Sequence, residues 1–114
     1  MLTIDIEPAK ACTLIRVTGN VDHAAAPGLE EKLLAEIEAG HRNLVINGHD
    51  VAYISSAGLK ALIVAQTRAR HCHPQGKIVF SALSSTVERT FQMVGFHELF
   101  EIHQTDAAAI DSFG

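Results

Sequence analysis

Hydrophobic and polar residues alternate in two short segments near the start of the chain. Residues 3–7 read Thr, Ile, Asp, Ile, Glu, and residues 13–18 read Thr, Leu, Ile, Arg, Val, Thr. A period of two is typical of strands that bury one face. Because turn residues near Pro8 to Lys10 separate the segments, the pattern predicts an opening antiparallel hairpin.

Three later segments carry apolar residues at helical spacing instead. The first helix is expected to begin at about Pro27 and to end at Gly40, and the second to follow Ser56 and to end before Pro74. A third helix is expected to stop at Gly95. The apolar positions of the three helices are Leu29, Leu33 and Ile37; Leu59, Leu62, Ile63 and Ala69; and Val87, Phe91 and Val94.

Short β-branched or aromatic runs at residues 43–47, 77–80 and 99–103 predict further strands, the first of them followed by a loop over residues 48–53. Ser85 and Glu88 have the spacing of a reciprocal capping box, which predicts Ser85 as the cap of the third helix. Asp106 is expected to cap a closing helix that runs to Ile110. The predicted order is ββαβαβαβα, a single α/β domain over residues 1–114 with a mixed, mostly parallel central sheet and helices packed against it.

Two adjacent hydroxyls, Ser55 and Ser56, lie where a predicted loop gives way to the second helix. The first turn of a helix has backbone N–H groups without intrahelical partners and a partial positive charge, so it favours an anion. A phosphate on Ser56 would therefore be stabilised there. The alternative is that either serine only caps the helix.

Polar residues also follow the other strands of the predicted sheet. Asp22 comes after the second strand, and the loop Ser81–Ser84 follows the fourth. Ligands of such sheets gather at the carboxyl ends of parallel strands. We therefore expect these two loops and Ser56 to converge on one surface.

Composition excludes several classes of function. The chain has 114 residues and a net charge of −4, with 47% hydrophobic and 19% charged residues, which argues against a direct nucleic-acid partner. The first seven residues lack the basic and apolar regions of a signal peptide, and no apolar run reaches the ~20 residues needed to span a bilayer. We expect a cytoplasmic protein with no direct membrane contact.

Cysteine and histidine residues do not form a recognisable site in the sequence. Cys12 and Cys72 are expected to be free thiols, and the run His71–His73 lacks a second pair of ligands for a metal. We assign no chemistry to four histidines in predicted loops or at strand ends: His23, His49, His97 and His103. No metal, no cofactor and no catalytic residue is predicted.

Three motifs in this order resemble the STAS domain of bacterial anti-sigma factor antagonists, and the resemblance covers nearly the whole chain. Gly19–Asp22 matches the Gly-x-x-Asp after the second strand of that family. Ser56–Leu59 matches its phospho-acceptor segment, and Val94–Phe96 precedes the last strand.

The resemblance implies that Ser56 is phosphorylated by an anti-sigma factor that is also a serine kinase, and that a phosphatase resets it. Ser55 is the competing acceptor, but Ser56 is preferred because the expected N-cap role of Ser55 points its oxygen at backbone N–H groups. The resemblance also implies Asp22 near the Ser56 hydroxyl. Many members place acids directly before the acceptor and at the end of the third strand, where this chain has Ser55 and Asn47, so we expect a less acidic site. The expected partner-binding residues are Asp22, Ser55, Ser56, Ala57, Gly58, Ser81 and Ser84.

Two other functions remain open from the sequence. One is a non-switching scaffold or adaptor subunit of a transporter or signalling assembly, in which Ser56 is only a cap or contact. The other is a hydrolase, because a serine between a strand and a helix also occurs in nucleophile elbows. Ile54 speaks against the hydrolase, since an elbow requires glycine at that position.

Overall fold

The computed structural model describes residues 2–113. Its strands are β1 (Thr3–Pro8), β2 (Thr13–Thr18), β3 (Asn43–Asp50), β4 (Lys77–Ser81) and β5 (Glu101–His103). Its α-helices are α1 (Ala26–Glu38), α2 (Ser56–Arg70), α3 (Ser85–Val94) and α4 (Asp106–Asp111), with a short 3-10 helix at Phe96–Glu98. The element order is the predicted one, apart from the additional 3-10 helix.

The five strands form one sheet in the order β1-β2-β3-β4-β5. Strands β1 and β2 pair antiparallel, and each later strand pairs parallel with the one before it. The predicted hairpin and the mostly parallel sheet are therefore confirmed. Because parallel crossovers are right-handed and every connection steps in the same direction, α1, α2 and α3 pack on one face of the sheet.

Successive residues of the central strands point to opposite faces, so the sheet has two apolar clusters. The larger cluster lies under α1–α3 and includes Ile15, Ile46 and Phe80. The smaller one contains Leu14, Val45 and Val79 together with Ala109 of α4. Burial on both faces explains why these strands read as continuous apolar runs without strict alternation.

Two predicted helix caps are wrong by one residue. The cap of α3 is Ser84, whose hydroxyl accepts a hydrogen bond from the N–H of Val87, and not Ser85. The cap of α4 is Thr105, whose hydroxyl accepts from the N–H of Ala108, and Asp106 is the first helical residue. In both places two adjacent residues could cap, and local pattern does not decide between them.

Strand boundaries also differ from the prediction. Strand β3 continues to Asp50 because Thr18 of β2 pairs with it past an irregularity in the register, so the following loop is shorter than predicted. Strand β5 begins at Glu101 because Leu99 and Phe100 donate backbone hydrogen bonds to the carbonyl of Phe96. None of the helices within residues 2–113 is both long and apolar enough to cross a membrane.

Candidate functional site around Ser56

The loop between β3 and α2 is joined to the loop between β2 and α1 by backbone hydrogen bonds. The N–H of Val21 donates to the carbonyl of Tyr53 at 2.9 Å, and the N–H of Ser55 donates to the carbonyl of Val21 at 2.8 Å. Val21 and Ile54 form a parallel bridge. This bridge extends the pairing of β2 and β3 beyond the sheet and fixes the start of α2.

The loop after β4 reaches the same segment from the other side. The hydroxyl of Ser84 donates to the carbonyl oxygen of Val51 at 2.6 Å. The N–H of Gly19, a glycine with a φ of 118°, donates to the carbonyl of Asp50 at 3.1 Å. Hydrogen bonds therefore join the three loops that were expected to converge.

Gly58 allows α2 to approach this bridge closely. A Cβ atom at position 58 would lie 2.7 Å from Cγ1 of Ile54 and 2.7 Å from Cγ1 of Val21. Such contacts are shorter than packed carbon atoms allow. The glycine in the matched motif thus has a packing role.

The two adjacent serines have different environments. Ser55 is the N-cap of α2, is 9% exposed, and accepts a 3.1 Å hydrogen bond through its hydroxyl from the N–H of Gly58. Ser56 is the first residue of the helix and is exposed. The capping role that sequence assigned to Ser55 is present, and Ser56 is the serine that solvent or another protein reaches.

The start of α2 favours a negative charge on Ser56. The first turn holds no acidic residue, while Arg68 and Arg70 lie in the last turn. The N–H of Gly58 is already bonded to Ser55, so the unsatisfied amides nearest the hydroxyl are those of Ser56 and Ala57. Exposed Lys60 follows Ser56 by four residues and so lies on the same side of the helix.

Asp22 stabilises the turn before α1. Its carboxylate accepts a 2.8 Å hydrogen bond from the N–H of Ala25, and its side chain is exposed. The pairing of Val21 with Ile54 places Asp22 next to Ser55 in register. The loop carrying Asp22 therefore borders the segment of Ser55 and Ser56, and the position of the Asp22 side chain near the Ser56 hydroxyl, which the resemblance implies, stays a prediction.

Ser81 and Asn47 point to the opposite face of the sheet. Ser81 is 0% exposed, and its hydroxyl donates to Oδ1 of Asp106 at 2.6 Å. The amide of Asn47 donates to the same oxygen at 2.8 Å. Because Ser81 is buried, its side chain offers no surface to a partner. The expectation that Asn47 makes the Ser56 site less acidic is wrong, because the side chain of Asn47 faces α4 and not Ser56.

Sequence reasoning missed this hydrogen-bonded group, to which Arg16 also contributes. Asp106 is separated by 90 residues from Arg16, whose guanidinium lies 3.2 Å from its carboxylate. A local pattern cannot indicate a contact across such a separation. The available signal was that Asn47 and Ser81 are polar residues near the ends of adjacent buried strands.

The geometry of Ser56 differs from that of a nucleophile elbow. An elbow holds its serine on a strained turn. Among residues 2–113, Ala82 is the non-glycine residue with a positive φ, and Ser56 lies in helical backbone. The described residues also contain no group of three or more His, Cys, Asp or Glu side chains placed to hold a metal ion.

Comparison with known families agrees with these features, since the model of the STAS domain matches residues 3–109. The chain belongs to the STAS domain family. A relative from Bordetella bronchiseptica, which bears the name anti-sigma factor antagonist BtrV, is 33% identical to this STAS domain over 95 residues, 83% of this chain and 80% of BtrV.

Solved structures share the fold of this STAS domain. An anti-sigma factor antagonist from Mycobacterium paratuberculosis superimposes with a TM-score of 0.87 at 22% identity, covering 99% of this chain and 94% of that one. Unphosphorylated SpoIIAA gives 0.81 at 21% identity, covering 96% and 95%. Phosphorylated SpoIIAA of Bacillus gives 0.74 at 19% identity, covering 98% and 100%.

Proposed function

We propose that this STAS domain is a regulatory, non-catalytic anti-sigma factor antagonist of the cytoplasm. Its unmodified form binds an anti-sigma factor that is also a serine kinase, and phosphorylation of Ser56 by that kinase ends the binding. A phosphatase restores the unmodified form. The name of the BtrV relative and the existence of SpoIIAA in two phosphorylation forms support this proposal.

The observation that carries the proposal is the contrast between the two serines. Ser56 is exposed at the start of a helix of 15 residues, whereas the Ser55 hydroxyl is buried and bonded to Gly58. A kinase can reach the hydroxyl of Ser56 without unwinding the helix. The proposed docking surface consists of Asp22, Ser56 and Ala57. Ser55 and Gly58 fix the first turn of α2 beside it, and Ser84 fixes the preceding loop through its hydrogen bond to Val51. Ser81 is left out because it is buried.

The proposed switch is electrostatic and steric. Phosphate adds about −1.5 to −2 charges at neutral pH. The amides of Ser56 and Ala57 and the nearby Lys60 compensate that charge within the folded domain, so the fold is retained. The added group occupies the surface where the kinase docked, so the modified protein loses affinity for that partner.

Phosphorylation is tested by incubating the purified protein with the anti-sigma kinase encoded nearest to its gene and labelled ATP. We expect label on the parent and on Ser55→Ala, and none on Ser56→Ala. Ser55→Ala is the matched control, because it removes a neighbouring hydroxyl and the helix cap. Label that persists in Ser56→Ala would contradict the assignment.

The loss of affinity is tested separately by titrating the same kinase with Ser56→Asp and with Ser56→Ala. We expect Ser56→Ala to bind like the parent and Ser56→Asp to bind at least tenfold more weakly. Equal binding by all three proteins would instead favour the non-switching scaffold role.

A further inference from the structure

The face of the sheet opposite α1–α3 carries an apolar strip that α4 covers. Leu14, Val45 and Val79 occupy corresponding positions on the three neighbouring strands β2, β3 and β4 and are each at most 3% exposed. Ala109 of α4 is 0% exposed in the same cluster, and Ile110 and Phe113 pack against it. The C-terminal segment is thus the cover of a second, smaller core.

This cover is too short to be a stable helix by itself. Helix α4 has six residues, of which Ala109 is buried. Isolated helices shorter than about 12–15 residues are marginal in water because nucleation is costly. The helical structure of α4 therefore depends on its contacts with the sheet, and undocking and unfolding of α4 are one event.

One carboxylate connects α4 to all three strands. Oδ1 of Asp106 accepts hydrogen bonds from Ser81 at 2.6 Å and from Asn47 at 2.8 Å, and Oδ2 accepts from Arg16 at 3.2 Å. Burial disfavours the charged form of Asp106, but these hydrogen bonds and the charge of Arg16 outweigh it and lower the pKa of the carboxyl. Arg16 is itself bonded to Glu7 of β1 at 3.1 Å.

We propose that α4 is a detachable latch, held closed by the carboxylate of Asp106, and that its release uncovers the apolar strip of Leu14, Val45 and Val79. The latch lies on the face opposite α1–α3, so it opens without displacing α2 and Ser56. This inference does not rest on the phosphorylation of Ser56.

The reactivity of the Cys12 thiol can be used to detect the open form. It is 9% exposed in the cluster that contains Ala109, and burial raises the pKa of its thiol. Opening of α4 exposes this thiol to an alkylating reagent. Cys72 lies elsewhere, packed against the larger core, and is replaced by serine so that Cys12 alone reacts.

The experiment measures N-ethylmaleimide labelling of Cys12 at neutral pH in three proteins that all carry Cys72→Ser. We expect Asp106→Asn to label on the order of tenfold faster than the parent, because a hydrogen-bonded charge is lost from the closed form. Asp111→Asn is the matched control, since Asp111 is an exposed carboxylate on the same helix. It should label at the parent rate.

Amide hydrogen exchange separates local opening from global unfolding. In Asp106→Asn we expect faster exchange at Ala109 and Ile110, with exchange at Leu33 and Leu62 in the larger core unchanged. Ser81→Ala removes one donor and keeps Arg16, so its labelling rate should lie between those of the parent and Asp106→Asn. Parent-like labelling in Asp106→Asn, or equal acceleration at Leu33, Leu62 and Ala109, would overturn the proposal.

Discussion

The hydroxyl of Ser84 donates a 2.6 Å hydrogen bond to the carbonyl oxygen of Val51. The oxygen of this Ser84 hydroxyl also accepts a hydrogen bond from the N–H of Val87 and so caps α3. One side chain thus begins a helix and also holds the loop that leads to Ser56. The segment from Tyr53 to Ser55 is hydrogen-bonded on its other side to Val21, so the geometry at the start of α2 depends on both neighbouring loops.

Ser84→Ala should lower the free energy of unfolding by about 1–3 kcal/mol, because it removes a helix cap and the donor to the Val51 carbonyl. Urea denaturation followed by circular dichroism measures the change. Ser85→Ala is the control, since Ser85 is exposed and is not the cap. A larger loss in Ser85→Ala than in Ser84→Ala would contradict this assignment of the cap.

Gly58→Ala should destabilise the domain by about 1–3 kcal/mol, because the new methyl group overlaps Ile54 and Val21 in a packed region. Gly28→Ala is a matched control in α1, where a Cβ atom would meet nothing within 4 Å. It should be neutral or stabilising by up to about 1 kcal/mol, since alanine favours helix. Thermal unfolding compares the two variants, and equal losses would show that close packing at Gly58 is not the cause.

The order of elements was predictable because periodicity reports which face of a segment is buried. Leu29, Leu33 and Ile37 lie within α1 and are buried, as their spacing indicated. Local pattern could not choose between Ser84 and Ser85, because both satisfy capping preferences and a contact with Val51 selects one of them. Motif order indicated Ser56 as the candidate acceptor, and that assignment stays a prediction.

The sequence could not indicate the α4 face of the sheet. Asn47 and Ser81 were read as part of the carboxyl-end surface because both lie near strand ends. Which face they occupy depends on strand register, and a single residue of register moves a side chain to the other face. Their partner Asp106 comes from a distant helix, so only the folded structure unites the three residues.

Acid should weaken the contribution of Asp106 to stability. Its folded pKa lies below the ordinary value of 3.8, so its stabilising effect is present in full above about pH 5 and is lost as pH falls through the folded pKa. The difference in unfolding free energy between the parent and Asp106→Asn should therefore be largest near pH 7 and shrink below about pH 4. Urea titrations at several pH values measure it.

Glu101 titrates in the same direction, because a hydrogen bond from Lys77 lowers the pKa of its carboxyl. The parent therefore loses stability in acid through more than one group. Comparison with Asp106→Asn cancels the contribution of Glu101, and Glu7 beside Arg16 is present in both proteins. A parent-to-variant difference that grew as pH fell would contradict the lowered pKa of Asp106.

Phosphate on Ser56 should be stabilised by Lys60, which lies four residues along α2. Opposite charges at this spacing stabilise a helix by about 0.2–0.5 kcal/mol, and like charges destabilise it by a similar amount. Phosphoserine introduced at position 56 during translation should therefore lower the melting temperature more in Lys60→Glu than in the parent.

Lys10→Glu, an exposed site in the turn after β1, is the control for net charge, and the effect of phosphoserine on its melting temperature should match that in the parent. Because both charges are exposed, 0.5 M salt, with a Debye length of roughly 4–5 Å, should reduce the difference. An effect of phosphate that is the same in all three proteins at low salt would mean that Lys60 does not compensate the charge.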